Sequence, residues 1–187
     1  MAKQPHVLVI SFPAQGHVAP LMKLSHLIVD HRINVTFVAS EFIHAKVTAS
    51  MPVKNEEKSQ IRLVSIPDGL DPGDDRTDVL KVTESILKNM PGHFKDLIEK
   101  INQSNDDEQI SCIIADATFG WALEVAEKMG IKRAAVWLAG AGNLAFTLHI
   151  LKLIEYGIID AEGNIYLLLT IQLVSVTKID LIYMLMP

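Results

Sequence analysis

Cysteine is almost absent: Cys112 is the only one, inside an apolar run, so neither a disulfide framework nor a paired-cysteine metal site can be built. That leads us to expect a reducing compartment. The seven histidines show no H-x-x-x-H or H-x-H spacing, which removes the usual metal-binding helix and turn patterns. No metal and no cofactor are expected. His6, His26, His31, His44, His93 and His149 are read as surface or capping residues. No block of Lys/Arg offsets the formal charge of −5, which argues against nucleic acid or an anionic membrane as a partner. A G-x-x-x-x-G-K-[ST] phosphate loop and a G-x-S-x-G nucleophile elbow are also missing, so nucleotide hydrolysis and serine esterase chemistry have no support. No uninterrupted apolar run approaches the ~20 residues of a membrane span. The nearest, at 167–187, is broken by Gln172, Lys178 and Asp180. Residues 1–6 lead directly into a strand pattern too short for a secretory signal, so a cytoplasmic protein is expected.

What remains is a chain of 187 residues, 49% hydrophobic and 21% charged, suited to one well-buried domain. Short runs rich in Val and Ile alternate with helical patterns, the βαβ rhythm of a parallel sheet covered on both faces. Strands are expected at 7–12, 34–39, 61–66, 111–115 and 133–138. Helices are expected at about 18–31, with Leu21, Leu24 and Ile28 on one face, and at 41–49. Others are read at 79–101 with an interruption at Pro91-Gly92, through Ala122, Val125, Ala126 and Met129 with a stop at Gly130, and at 143–156 with Leu144, Leu148 and Leu151 on one face. Polar loops are read at 54–60, 67–78 and 102–109.

Two constellations could carry chemistry. The first is Pro13-Ala14-Gln15-Gly16-His17 after the first strand, together with Asp116 at the end of the fourth. A parallel sheet delivers every strand's carboxyl end to one edge, so residues a hundred positions apart can meet there. Histidine, with an ordinary pKa near ~6.5, is the side chain best suited to take a proton at neutral pH. An aspartate on its other ring nitrogen would fix the tautomer. Alternatively, Asp116 caps the helix that starts near Thr118 and His17 merely begins its own helix. The second constellation is Gly140-Ala141-Gly142-Asn143-Leu144-Ala145, which fits the relaxed dinucleotide pattern G-x-G-x-x-G/A with Asp160 twenty residues on. It follows the fifth strand rather than the first, and close helix–sheet packing is the plainer reading. Trp121 and Trp137 are read as aromatic packing near the sheet edge.

Several ordered motifs then resemble one family. The run from Pro5-His6-Val7 through Pro13-Ala14-Gln15-Gly16-His17-Val18-Ala19-Pro20 is similar to the amino terminus of plant UDP-sugar-dependent glycosyltransferases of small molecules. So are Ile61-Arg62-Leu63-Val64-Ser65-Ile66-Pro67-Asp68-Gly69-Leu70 and Ser111 to Asp116 with Gly120-Trp121-Ala122-Leu123-Glu124-Val125-Ala126 and Met129-Gly130-Ile131. The resemblance runs from Gln4 to about Ile165. It implies the α/β, Rossmann-like amino-terminal half of a two-domain GT-B enzyme, with an acceptor-binding domain at 1–166.

By the same resemblance, His17 is the general base and Asp116 its partner, while Gln15, Gly16, Phe119 and Trp121 touch the acceptor. The implied reaction is inverting transfer of a sugar, usually glucose, from a UDP-sugar co-substrate to a hydroxyl or carboxyl of a small lipophilic acceptor, without a metal. The family's W-A-P-Q…H-C-G-W-N-S donor box has no counterpart here, and the apolar segment 167–187 departs from the family pattern, as a truncation or frame change would. The chain alone is therefore expected to be inactive. A non-catalytic small-molecule-binding module and a dinucleotide-binding oxidoreductase domain are the alternatives.

Overall fold

The first strand, β1 (His6–Ile10), is buried along its whole length, as a central strand of a parallel sheet must be when both faces are covered. The computed structural model describes residues 4–50, 61–104, 109–160 and 181–183. Two compact units divide the chain, Met1–Val136 and Trp137–Pro187.

In the first unit, β1 is followed by α1 (Gln15–Asp30), β2 (Asn34–Ser40), α2 (Glu41–Ser50), β3 (Ile61–Ile66), α3 (Val79–Ser104), β4 (Cys112–Asp116), α4 (Gly120–Lys128) and β5 (Lys132–Trp137). The strands pair in parallel in the order β3-β2-β1-β4-β5. This is the α/β sheet that the alternating pattern implied. Strand order reverses between β1 and β4, the kind of switch point at which open α/β sheets place ligands, outside the carboxyl ends of the strands.

Successive strand residues point to opposite faces. Leu8, Ile10, Val38, Ile113 and Ala115 share one core with Ala122 and Ala126 of α4 and with α3. Val7, Val9, Phe37 and Ile114 are buried outside that cluster, and α1 lies against β1 and β2 with Val18, Leu21 and Ser25 buried. Of the row expected on α1, Leu21 is buried while Leu24 and Ile28 are only partly so.

Two expectations fail in instructive ways. The break at Pro91-Gly92 does not occur: α3 runs through it. Val82, Ile86, Met90, Phe94, Ile98 and Ile101 are buried along one face on both sides of Pro91. At about 1.5–3 kcal/mol per buried side chain, that stripe outweighs the ~3 kcal/mol cost of an interior proline. Helix α1 begins at Gln15 instead of Val18, because extended Ala14 serves as its N-cap and accepts the His17 and Val18 N–H groups through its carbonyl, each at 2.9 Å. Pro20 therefore lies inside α1. The carbonyl it leaves without a helical donor is that of Gly16, which is exposed to water.

In the second unit, α5 (Ala141–Glu155) starts from Gly140 and is followed by left-handed Gly157, and a short strand β6 spans Leu181–Tyr183. Leu144 is buried, but Leu148 and Leu151 of the expected face are exposed, and Leu153 is buried instead. The helix is apolar around most of its circumference, so the stripe alone did not select a face. The expected loop at 54–60 and most of the segment 167–187 lie outside the described residues.

Candidate active site

Asp116 ends β4 and is nearly inaccessible, its side chain 2% exposed, while His17 stands on the first turn of α1 with 31% of its side chain open to solvent. The two meet at the carboxyl edge of neighbouring strands β1 and β4: His17 Nδ1 lies 2.6 Å from Asp116 Oδ2. The other carboxylate oxygen is also taken. Asp116 Oδ1 accepts the Thr118 N–H at 3.0 Å and the Thr118 hydroxyl at 2.8 Å. Asp116 does not cap α4, which starts at Gly120 with Phe119 as its N-cap and no side-chain cap bond; one Asp116 oxygen holds the turn at Thr118 and the other meets His17.

A carboxylate only accepts hydrogen bonds. With Asp116 as carboxylate and His17 neutral, the proton on Nδ1 makes the 2.6 Å bond and Nε2 keeps its lone pair. The arrangement can accept a proton at Nε2 and stabilise the resulting imidazolium against a buried carboxylate.

Aromatic rings continue outward from the histidine. Phe12 lies 5.3 Å from the His17 ring and 5.8 Å from Phe119, Phe119 lies 5.0 Å from Trp121, and Trp121 meets Phe94 of α3 edge-on at 5.6 Å. Such spacings are favourable for tilted and T-shaped pairs. Phe119 is fully buried behind Phe12, and Trp121 is partly buried with its Nε1 enclosed and without a hydrogen-bond partner among the described residues. Gln15 and Gly16 are exposed beside His17, and a Cβ at Gly16 would meet nothing within 4 Å.

Phe12 and Thr118 were not singled out in the sequence. Thr118 had a legible signal, since an aspartate two residues before a threonine favours an Asx turn. Phe12 had none, because only the folded turn brings it to His17. The surface role read for His6 is wrong: it is 4% exposed and its Nε2 bonds Thr36 Oγ1 at 2.9 Å. Its place at the head of a central strand overrides its polarity, and Thr36 on the neighbouring strand satisfies the ring.

The second motif sits at a strand–turn–helix junction, between β5 and α5. Gly140 is the α5 N-cap at φ −61°, and a Cβ at Gly140 or Gly142 would meet no described residue within 4 Å. Asp160 belongs to no strand. Burial pushes the Cys112 thiol up from its ordinary pKa, with Lys132 pulling weakly the other way. Among the described residues no cluster of three His, Cys, Asp or Glu could hold a metal, and no helix is long and apolar enough to cross a membrane.

No family model matches the chain. Relatives do: it is 42% identical over 175 residues to UDP-glycosyltransferase 83A1 of Arabidopsis thaliana, an alignment covering 91% of this chain and 38% of the relative. The chain belongs to the plant UDP-glycosyltransferase family. A (R)-mandelonitrile beta-glucosyltransferase of Prunus dulcis is 33% identical over 159 residues, covering 83% of this chain and 33% of that protein. The fold agrees. The crystal structure of LpCGTa in complex with UDP superposes with a TM-score of 0.66 at 19% identity, covering 89% of this chain and 37% of that one. Os79 from O. sativa in complex with UDP gives 0.64 at 18% identity, covering 82% and 36%. This glycosyltransferase-family chain therefore spans between a third and two fifths of the length of the relatives it matches.

Proposed function

We propose that this chain forms the acceptor side, and carries the general base, of a UDP-sugar-dependent glycosyltransferase. The observation that carries the proposal is the 2.6 Å contact between His17 Nδ1 and Asp116 Oδ2 at the switch point of the sheet, which leaves Nε2 free beside an aromatic wall. An acceptor hydroxyl lying on that wall passes its proton to Nε2 as its oxygen bonds to the anomeric carbon of the sugar. The bond from that carbon to the diphosphate breaks, UDP leaves with the electron pair, and the anomeric configuration inverts. Asp116 holds the imidazolium until the proton is released to water. A carboxyl acceptor reacts as its carboxylate.

Gln15 and Gly16 meet the acceptor from the exposed turn, while Phe119 backs the Phe12 ring and Trp121 packs in turn on Phe119. The pocket would suit a small lipophilic acceptor, and the donor would be gripped by sequence corresponding to the rest of the relatives' length. Those groups would hold the donor in line with the acceptor oxygen, which transfer requires. We read it as a cytoplasmic protein with no nucleic-acid partner.

A chimera tests this: residues 1–166 placed ahead of the remaining length of UDP-glycosyltransferase 83A1, assayed with UDP-glucose and phenolic acceptors. Glucoside formation by the chimera and none by the chain alone is expected. A chimera that binds acceptor yet makes no glucoside would identify a binding module instead. Titration with NAD(P) checks the other alternative, and binding that survives His17→Ala would support it.

A further inference from the structure

Helices α1, α4 and α5 end in the same way. Each is followed by a cap residue, then a residue with positive φ, then an isoleucine: His31-Arg32-Ile33, Met129-Gly130-Ile131 and Tyr156-Gly157-Ile158. The middle residue donates its N–H back into the last turn, Arg32 to the Val29 carbonyl at 2.8 Å, Gly130 to that of Glu127 at 3.0 Å and Gly157 to that of Ile154 at 2.9 Å. Two of the three are glycine, which takes this conformation without steric cost. The third is Arg32, at φ +60° the one non-glycine residue with positive φ among the described residues. A long side chain retained where the backbone favours glycine points to a use for that side chain.

Arg32 stands on a cavity. Gln4 Nε2 donates to the Arg32 carbonyl at 2.9 Å and the Asn34 N–H to the Pro5 carbonyl at 3.0 Å, so the turn after α1 is tied to the chain that enters β1. Gln4, Arg32, Ile33 and Asn34 line a cavity of about 430 Å³, within the size range of small-ligand sites. It lies at the amino ends of β1 and β2, the edge of the sheet opposite to His17 and Asp116. The Arg32 guanidinium and the Asn34 side-chain amide have no partner among the described residues, and Ile33 is half-buried.

We propose that this cavity binds a small organic monocarboxylate. The planar guanidinium offers a carboxylate two parallel N–H groups. The Gln4 and Asn34 amides can donate to or accept from a hydroxyl or carbonyl beside it, and Ile33 gives an apolar surface for the body of the molecule. One negative charge suits the site better than two. The cavity is at the carbonyl end of α1, whose dipole opposes anions, and exposed Asp30 stands two residues before Arg32, so a single guanidinium must balance whatever enters. That weighs against phosphate. The site stands apart from the acceptor side of the sheet and does not depend on the role proposed for His17.

The test titrates the full chain with 2-hydroxybenzoate, its neutral analogue 2-hydroxybenzamide and inorganic phosphate at pH 7, by calorimetry and by amide chemical shifts. We expect 2-hydroxybenzoate to bind with a Kd of about 1 mM or tighter and to move the signals of Gln4, Arg32, Ile33 and Asn34, with the other two probes at least about tenfold weaker. Arg32→Gly relieves the backbone and should raise the melting temperature while weakening 2-hydroxybenzoate more than about tenfold. Arg32→Lys keeps the charge without the fork and should fall between the two. Binding that survives Arg32→Gly, phosphate or the benzamide binding as tightly as the carboxylate, or no binding at all would overturn the assignment. So would shifts confined to the residues around His17, which would make the probe an acceptor only.

Discussion

His17 Nδ1 and Asp116 Oδ2 lie 2.6 Å apart although 99 positions separate them in the chain. The sheet makes this possible: β1 and β4 are parallel neighbours, and the strand order reverses between them. The buried carboxylate has no freedom to turn away, since Thr118 holds its other oxygen twice. Asp116→Asn should therefore present an amide to Nδ1, destabilise the imidazolium and reduce transfer by the chimera by roughly 10²–10⁴-fold. Thr118→Val removes only one of three hydrogen bonds to the carboxylate and should cost much less. Steady-state kinetics of the two variants side by side check this order.

Gly69 is the residue on which the β3–α3 loop turns. Its φ is +82°, and a Cβ there would meet the Asn89 side chain, with Cγ at 2.5 Å, and Ser85 Oγ at 2.8 Å. Gly69→Ala should destabilise the protein by about 1–2 kcal/mol from the left-handed backbone alone, with the steric contact adding to it. Adding Asn89→Ala should recover part of the steric loss and none of the backbone strain. Urea denaturation of the single and double variants measures both parts.

Helix α3 carries two poor helix formers in sequence, held in place by the buried stripe that runs past them. A Cβ at Gly92 would meet nothing within 4 Å, so Gly92→Ala should stabilise by roughly 0.5–1 kcal/mol. Met90→Ala, in the same turn but fully buried, should cost about 2–5 kcal/mol. Opposite signs at positions two residues apart, read from melting curves, would confirm that packing and not local propensity keeps α3 whole.

The strand rhythm was legible because Val and Ile runs of five to seven residues are what a doubly covered parallel sheet requires, and β3 fell on its expected bounds. Asp116 and His17 were legible for the same topological reason. Helix α3 shows where local reading stops: Pro91-Gly92 is a strong local signal, yet six side chains buried against the sheet override it. Phe12 was not legible at all. Its contacts are made by a turn whose path is fixed only after the core has formed.

Cys112 gives a pH-dependent check. Burial raises its thiol above the ordinary range, so the unprotonated form is scarce at neutral pH. Alkylation by iodoacetamide should be slow at pH 7 and should rise only above the pH at which a free thiol already reacts. Unfolding in urea should return it to the ordinary profile.

The central claim is that His17 takes the acceptor's proton. In the chimera with UDP-glucose and a phenolic acceptor, His17→Ala should lower kcat by about 10²–10⁴-fold. Acceptor affinity, measured by calorimetry on the same preparation, should stay close to that of the unsubstituted chimera. Turnover by His17→Ala equal to that of the unsubstituted chimera would contradict the role assigned to His17.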